Sequence, residues 1–427
     1  MTDLVEQLLS RIEAHRLPEL ELGPGAVHPV YGGLSILNLP ASLSRWLGGP
    51  DLSHPPIDLP QLDTIADGVR QVVYVLIDAV SLRRFLIWFD GVVPTLDPNS
   101  ESTILGALTS TVPSTTCTAL TTLWTGRSPS EHGILGYELF LREYGLVANM
   151  ITHSPMVFDG SAGLLYRAGF RPESALPVPT LGPQLKDAGI TAHGFLANSI
   201  RHSGLSRMHY EGVNVHGFGA PSDLWIGVRE LAGTPIERRR LIWVYYGGVD
   251  GLSHRFGPDS EQARAEFTTF LRAMNDHFIS STLGASKEQT LLLIISDHGQ
   301  ISTPLDPQYE VRNHPALARR LHILPTGENR LSFLYPQPGQ VEAVREYFED
   351  TWPKKFSLFP SETLLKAGLF GPGIPAGATP GRLGDLAAVS HEDAYLWWAF
   401  KENPLIGRHG GLSPDEMLVP LLAARLD

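Results

Sequence analysis

The sequence predicts an α/β protein: a mostly parallel central sheet sandwiched by helices, with a small inserted α+β subdomain. Three observations carry that prediction. Short runs of apolar and β-branched residues recur along the chain, amphipathic helical patterns lie between them, and proline and glycine cluster between about 305 and 380. Runs that are apolar throughout, instead of alternating, mark strands buried on both faces. Their alternation with amphipathic helices is the pattern of a parallel sheet covered on both sides.

The elements follow in chain order. Leu4, Val5, Leu8, Leu9 and Ile12 repeat at helical spacing, with Asp3 as the cap and Glu6 three residues on. Residues 17–66 are rich in Pro and Gly and lack sustained periodicity, and they read as an extension wrapping the core. Val72–Ile77 is the first buried strand, and similar runs recur at Ile190–Leu196, Leu241–Tyr246 and Leu291–Ile295. Thr180–Gly189 reads as a helix ending on glycine. Ser260 caps a second helix that carries Ala263, Phe267, Phe270, Leu271, Met274 and Phe278 on one face. Further on come a strand-like Leu331–Tyr335 and a helical Val341–Phe348, while Asp385–Val389 and Met417–Leu422 are expected to return to the main sheet. The predicted organisation is an N-terminal helix and wrapping extension (1–66), a catalytic core (67–304 and 381–427) and an inserted cap-like subdomain (305–380).

A chain of 427 residues is long enough for one large α/β domain with such an insertion. Hydrophobic residues at 43% and charged residues at 18% allow a large buried core. The net charge of -12, with no run of Lys and Arg, argues against a stable nucleic-acid partner. No apolar run approaches the roughly 20 residues that a membrane-spanning helix needs, so no membrane partner is expected. The first residues lack the basic-then-apolar order of a secretory signal. A single cysteine, Cys117, leaves no intramolecular disulfide. The expected location is cytoplasmic.

Chemistry concentrates at the ends of the predicted strands, where folds of this kind gather their functional groups. Asp78 directly follows the first strand. Asp250 and His254 follow Leu241–Tyr246, and Asp297 and His298 follow Leu291–Ile295 within Ser296-Asp-His-Gly299. His409 stands between glycines in Gly407-Arg-His-Gly-Gly411. Each signal alone has an ordinary explanation, since an Asp after a strand often caps a helix. Their order and placement together point to a metal site, because carboxylate plus imidazole suits zinc and tolerates manganese or iron. A hydroxyl-rich segment, Thr111-Val-Pro-Ser-Thr-Thr-Cys-Thr118, reads as a helix start after Pro113. A hydroxyl there can serve as a nucleophile toward a phosphate held by free backbone N–H groups, or can merely cap the helix.

Taken as a set, these features resemble the alkaline phosphatase superfamily, in particular its type I phosphodiesterase/nucleotide pyrophosphatase branch. The matched residues run from Asp78, through Pro113–Gly126 and Arg127-Ser-Pro-Ser-Glu-His-Gly-Ile134, to Asp250/His254, Asp297-His298-Gly299 and His409. The resemblance implies two divalent cations, with zinc expected and manganese as the second choice. Asp250, His254 and His409 would hold one, and Asp78, Asp297, His298 and the nucleophile oxygen the other. It places the nucleophile nine residues before Thr125 of Thr125-Gly126, which is Thr116, with Thr115 and Ser114 as weaker alternatives. Cys117 stands one residue off and lacks the proline and arginine that follow a sulfatase cysteine.

The resemblance therefore implies hydrolysis of phosphodiester or pyrophosphate bonds through a phospho-threonine, on a small phosphorylated substrate, with nucleotides among the candidates. A phosphomonoesterase or phosphomutase is the alternative within the superfamily, and a non-catalytic binding protein keeping the fold is the alternative outside enzymes. Two positions depart from the nucleotide pyrophosphatases: Ala119 stands where they carry an asparagine, and Gly410-Gly-Leu-Ser-Pro414 follows the last histidine. His132 is expected to be structural. His153, His193, His202 and His209 have no ligand spacing, and the 305–380 segment is expected to lie over the metal site.

Overall fold

A computed structural model describes residues 3–98, 100–157, 161–280 and 288–426. Seven strands form the main sheet: β1 (Gln71–Ile77), β2 (Thr103–Thr109), β3 (Thr191–Ala197), β4 (Asn214–Phe218), β5 (Arg240–Tyr246), β6 (Thr290–Ile295) and β7 (Leu418–Arg425). Their spatial order is β2-β7-β6-β1-β5-β3-β4. β1, β3, β4, β5 and β6 pair in parallel, and β7 runs against both its neighbours. Every residue of β1, β2 and β6 is buried, which is why these strands are apolar throughout. The α/β class with a mostly parallel central sheet is therefore as predicted.

The helices that matter for the site pack on this sheet. They are α1 (Asp3–Ala14), α2 (Leu39–Trp46), α3 (Thr116–Thr125), α4 (Gly248–Phe256) and α5 (Glu261–Met274). α1 buries Val5, Leu8 and Ile12. α5 is capped by Ser260, whose hydroxyl accepts from Ala263 N–H, and it buries Ala263, Phe267, Phe270, Leu271 and Met274. The wrapping extension is more ordered than its composition suggests, because α2 and a second helix, Pro60–Ala66, lie within it. α2 escapes periodicity analysis because six consecutive residues from Leu39 to Ser44 are buried, leaving no polar face to see.

A second sheet is antiparallel throughout. Its strands follow the order Phe356–Pro360, Leu386–Ser390, Leu331–Leu334, Thr326–Glu328, Glu138–Leu141, Leu146–Asn149 and Ser154–Pro155. One expectation is corrected here: the 385–389 run does not return to the main sheet. Leu386–Ser390 pairs instead with Leu331–Leu334, Ala387 opposite Phe333. The second sheet thus draws on chain before and after the 305–380 segment. Val344 and Phe348 of Val341–Thr351, with Trp352 just after it, pack with Leu334 and Leu386 in a core of their own. Among the described residues no helix is long and apolar enough to cross a membrane.

Candidate active site

The register of the central strands brings the site residues to one edge. Ile77 pairs with Tyr246 and Leu76 with Ile295, so β1, β5 and β6 end side by side. Asp78 leaves β1 directly, Asp297 lies two residues beyond β6, and Asp250 and His254 occupy successive turns of α4 just after β5. His409 arrives from far along the chain because Gly407–Arg408 pairs antiparallel with Ile301–Ser302, shortly after β6. Two glycines allow the close packing this needs. A Cβ on Gly299 would stand 2.1 Å from the Asp415 carbonyl oxygen. One on Gly410, whose φ is +104°, would stand 2.4 Å from Glu328 Cβ.

The predicted ligands fall into two groups of three, Asp78/Asp297/His298 and Asp250/His254/His409. In the first group, His298 Nε2 lies 3.3 Å from Asp78 Oδ1 and 3.6 Å from Asp297 Oδ2. In the second, Asp250 Oδ1 lies 3.3 Å from His254 Nε2 and 3.9 Å from His409 Nε2. Stacking of the His298 and His409 rings, 4.1 Å between centroids, joins the groups.

Each imidazole is oriented in the same way. Nδ1 of His254, His298 and His409 donates to the carbonyl oxygens of Gly407 (2.8 Å), Gly299 (3.0 Å) and Ser114 (3.2 Å). That leaves all three Nε2 lone pairs turned into the cluster, the arrangement metal-binding histidines use. Asp78 Oδ1 and Asp297 Oδ2 are buried and receive no hydrogen bond. Among the described residues no lysine or arginine pairs with Asp78, Asp250 or Asp297. Burial, then the charges of Asp297 and Asp250, push the Asp78 carboxyl well above its ordinary range. Burial, then His298 and His254, push His409 well below its own. Converging carboxylates and imidazoles of this kind suit divalent cations, which would remove the mutual repulsion.

Thr116 is the first residue of α3, after Thr115 as cap, and α3 is buried along its whole length. The helix is held in place by Trp124, which stacks on Trp243 of β5 with ring centroids 4.1 Å apart. Thr116 Oγ1 lies 3.2 Å from His298 Nε2 and 3.4 Å from Asp78 Oδ2. The neighbouring hydroxyls turn elsewhere: Ser114 donates to the Gly411 carbonyl at 2.7 Å, and Thr115 hydrogen-bonds Glu328. Cys117 is buried, and that burial, with Glu328 and Asp78, pushes its thiol well up, away from the reactive thiolate. His132 binds Thr122 Oγ1 at 3.0 Å and accepts from Ile134 N–H at 3.0 Å, a packing role. His153, His193, His202 and His209 belong to neither group of three.

Four further residues complete the site. Tyr245 donates its hydroxyl to Asp78 Oδ2, and Gln300 Nε2 donates to Asp250 Oδ1 at 2.5 Å. Gln300 stands two residues past His298, but Tyr245 reads only as part of an apolar strand. The other two are Glu138 and Glu328, on the wall of a cavity of about 340 Å³ that opens from Thr116, Asp250, His254 and His409. The rest of its lining includes Trp397, Trp398, Ile151 and Met156. From the 305–380 segment it takes only Gly327, Glu328 and Asn329. Asn329 does not stand in for the asparagine absent at Ala119, because its amide donates to the Leu396 carbonyl at 2.7 Å.

Residues 72–412 match the family model described as type I phosphodiesterase/nucleotide pyrophosphatase. Similar solved structures include murine ectonucleotide pyrophosphatase/phosphodiesterase 5, at 16% identity and a TM-score of 0.54, covering 82% of this chain and 87% of that one. The human protein of the same name is 14% identical with a TM-score of 0.55, over 82% and 87%. Phosphonoacetate hydrolase from Sinorhizobium meliloti, complexed with phosphonoformate, is 18% identical with a TM-score of 0.59, over 84% and 90%. No curated protein matches. At these identities the solved structures speak for the fold, while the family match spans most of the sequence. The chain belongs to the type I phosphodiesterase/nucleotide pyrophosphatase family and is a phosphoester hydrolase.

Proposed function

We propose that the protein cleaves phosphodiester or pyrophosphate bonds of a small phosphorylated substrate through a phospho-threonine on Thr116. The observation that carries the reading is the position of Thr116 Oγ1, at the start of α3 and 3.2 Å from His298 Nε2. Asp250, His254 and His409 would hold one divalent cation and Asp78, Asp297 and His298 the other, with zinc the natural choice for that donor set. Bound there, the cations supply Lewis acidity and lower the pKa of coordinated oxygens.

The chain's own residues do the rest. The first turn of α3 has backbone N–H groups without intrahelical acceptors, and these hold the phosphoryl oxygens. The Thr116 hydroxyl proton has an acceptor in reach in Asp78 Oδ2, at 3.4 Å, because His298 Nε2 would be taken by the cation. As the Thr116 Oγ1–P bond forms, the P–O bond to the leaving group breaks, and the leaving oxygen takes up a proton. A water oxygen then bonds to phosphorus, the Oγ1–P bond breaks, and the hydroxyl is restored.

Tyr245 and Gln300 keep Asp78 and Asp250 in fixed orientations. The 305–380 segment acts as a cap that shapes substrate choice through Glu328. A nucleotide is one candidate substrate, since the murine phosphodiesterase 5 was also solved with AMP. Parallel assays on bis(p-nitrophenyl) phosphate and p-nitrophenyl phosphate test the reading. Faster turnover of the diester supports it, and turnover of the monoester alone overturns it in favour of a phosphomonoesterase.

A further inference from the structure

A cavity of about 500 Å³ lies between the turn after Glu138–Leu141 and the 377–382 segment, lined by Phe140, Arg142, Glu143, Gly377, Gly381 and Arg382 among others. None of these six residues lines the cavity beside Thr116. The wall is open where the two glycines stand, since a Cβ on Gly377 or Gly381 would meet nothing within 4 Å.

Charge in this cavity is incompletely matched. Arg382 keeps only 9% of its surface exposed, and its side chain makes one hydrogen bond among the described residues, from Nη1 to the Gly133 carbonyl at 2.7 Å. Its Nε is buried without a partner, and the Glu143 carboxylate stands 3.7 Å from Nη2, too far for a hydrogen bond. The other buried arginines have more. Arg84 and Arg330 meet carboxylates at 2.9 and 3.0 Å, Arg240 donates three hydrogen bonds and Arg408 four. Burial pushes Arg382 below its ordinary value, with Glu143 and then Tyr335 opposing.

Arg142 brings a second guanidinium to the same cavity. It is exposed, and its side chain has no ion pair or hydrogen bond among the described residues. Glu143 is the one carboxylate in the lining, and its side chain is half exposed. A buried guanidinium with most of its donors idle is costly, and an anion that accepts from them relieves the cost. Guanidinium forks match the oxygens of a phosphate, two N–H groups to two oxygens. A half-exposed carboxylate that makes no hydrogen bond gives way to such an anion at little cost.

We propose that Arg382 and Arg142 form a binding site for a phosphate-sized oxyanion, separate from the hydrolytic centre, with Glu143 as the group it displaces. The site stands at one remove from α3: Arg382 holds the carbonyl of Gly133, which ends the helix Pro129–His132, and His132 binds Thr122.

Calorimetric titration of the purified protein with inorganic phosphate, at an ionic strength held constant with sodium chloride, tests the site. The wild type should bind phosphate saturably. Arg142→Gln should weaken that binding by about tenfold or more, because a charge-assisted contact is lost. Glu143→Gln should tighten it by about two- to fivefold, because the competing carboxylate is gone. Both side chains are exposed, so neither change threatens the fold. Phosphate held at the hydrolytic centre contributes equally to the three proteins and drops out of the comparison. Affinity unchanged by Arg142→Gln overturns the proposal, as does a Glu143→Gln variant that binds phosphate no more tightly than the wild type. Absence of saturable binding in the wild type overturns it outright.

Discussion

Thr116 Oγ1 lies 3.2 Å from His298 Nε2, a contact made across 182 residues of chain. It joins the start of α3 to the end of β6, and it exists because His298 is turned by its other nitrogen, which donates to the Gly299 carbonyl. If Thr116 is the nucleophile, Thr116→Ala should lower turnover by about a thousandfold or more. Thr116→Ser should keep part of the activity, because the hydroxyl survives and only the stiff β-branch is lost. Cys117→Ala should stay near wild type. Steady-state kinetics on a nitrophenyl diester decide the matter. An inactive Cys117→Ala beside an active Thr116→Ala would move the chemistry to the thiol.

Metal content follows from the two groups of three ligands. Protein purified without chelator should carry about two divalent ions per chain, zinc foremost. Elemental analysis measures it directly. Trace metal only, with none taken up on reconstitution, would defeat the metal-dependent reading.

Gln300 offers a test of orientation as opposed to ligation. Its amide donates to Asp250 Oδ1 at 2.5 Å and to the Asp250 carbonyl at 3.3 Å. Gln300→Ala removes that support without removing a ligand, and should weaken metal affinity or activity by about 10–100-fold. Competition with a chromogenic chelator measures the first quantity. Unchanged affinity and activity together would mean that Asp250 is held by its helix alone.

The segment carrying His409 depends on a buried ion pair. Glu416 accepts from Arg330 at 3.0 and 3.1 Å and from Gly411 N–H at 2.9 Å, and both charged side chains are almost fully buried. Glu416→Gln leaves the Arg330 charge without its partner, which should cost roughly 3–5 kcal/mol of stability. Urea unfolding with wild type and variant side by side measures the difference. A loss under about 1 kcal/mol would show that the pair is replaceable.

Glu131 gives a prediction in pH. Burial pushes its carboxyl up, but His54 at 2.6 Å, Ser128 N–H at 2.8 Å and Arg127 at 3.1 Å outweigh burial and hold it at about 2, below its ordinary 4.5. Because the folded value is depressed, the contribution to stability is complete above pH 4.5 and is lost as pH falls toward 2. The gap in Tm between wild type and Glu131→Gln should therefore shrink through that window. A gap that stays constant from pH 6 to 3, on the order of the window itself, would rule the carboxylate out as its source.

The central strands were legible without coordinates because burial on both faces leaves only apolar residues, as in Val72–Ile77 and Leu291–Ile295. The helix after Ser260 was legible for the complementary reason, one face buried and one wet. β2 was missed, since Gly106 and the threonines at the two ends of the strand blunt the apolar run, although all seven of its residues are buried. The strand at 386–390 was found but assigned to the wrong sheet: an apolar run states that a strand is buried, not which partner buries it. The same divide runs through the site. Asp78, Asp250, His254, Asp297, His298 and His409 could be named because residue type and place after a strand are local facts. Tyr245, Glu138 and Glu328 could not, because a tyrosine or a glutamate in a strand acquires its chemistry from neighbours distant in the chain. Tyr245 reaches Asp78 across 167 residues and Trp398 reaches Glu138 across 260. Residue type and local period are written along one dimension, whereas burial partners, hydrogen-bond acceptors and the charge of a cavity wall arise only when the chain is folded in three.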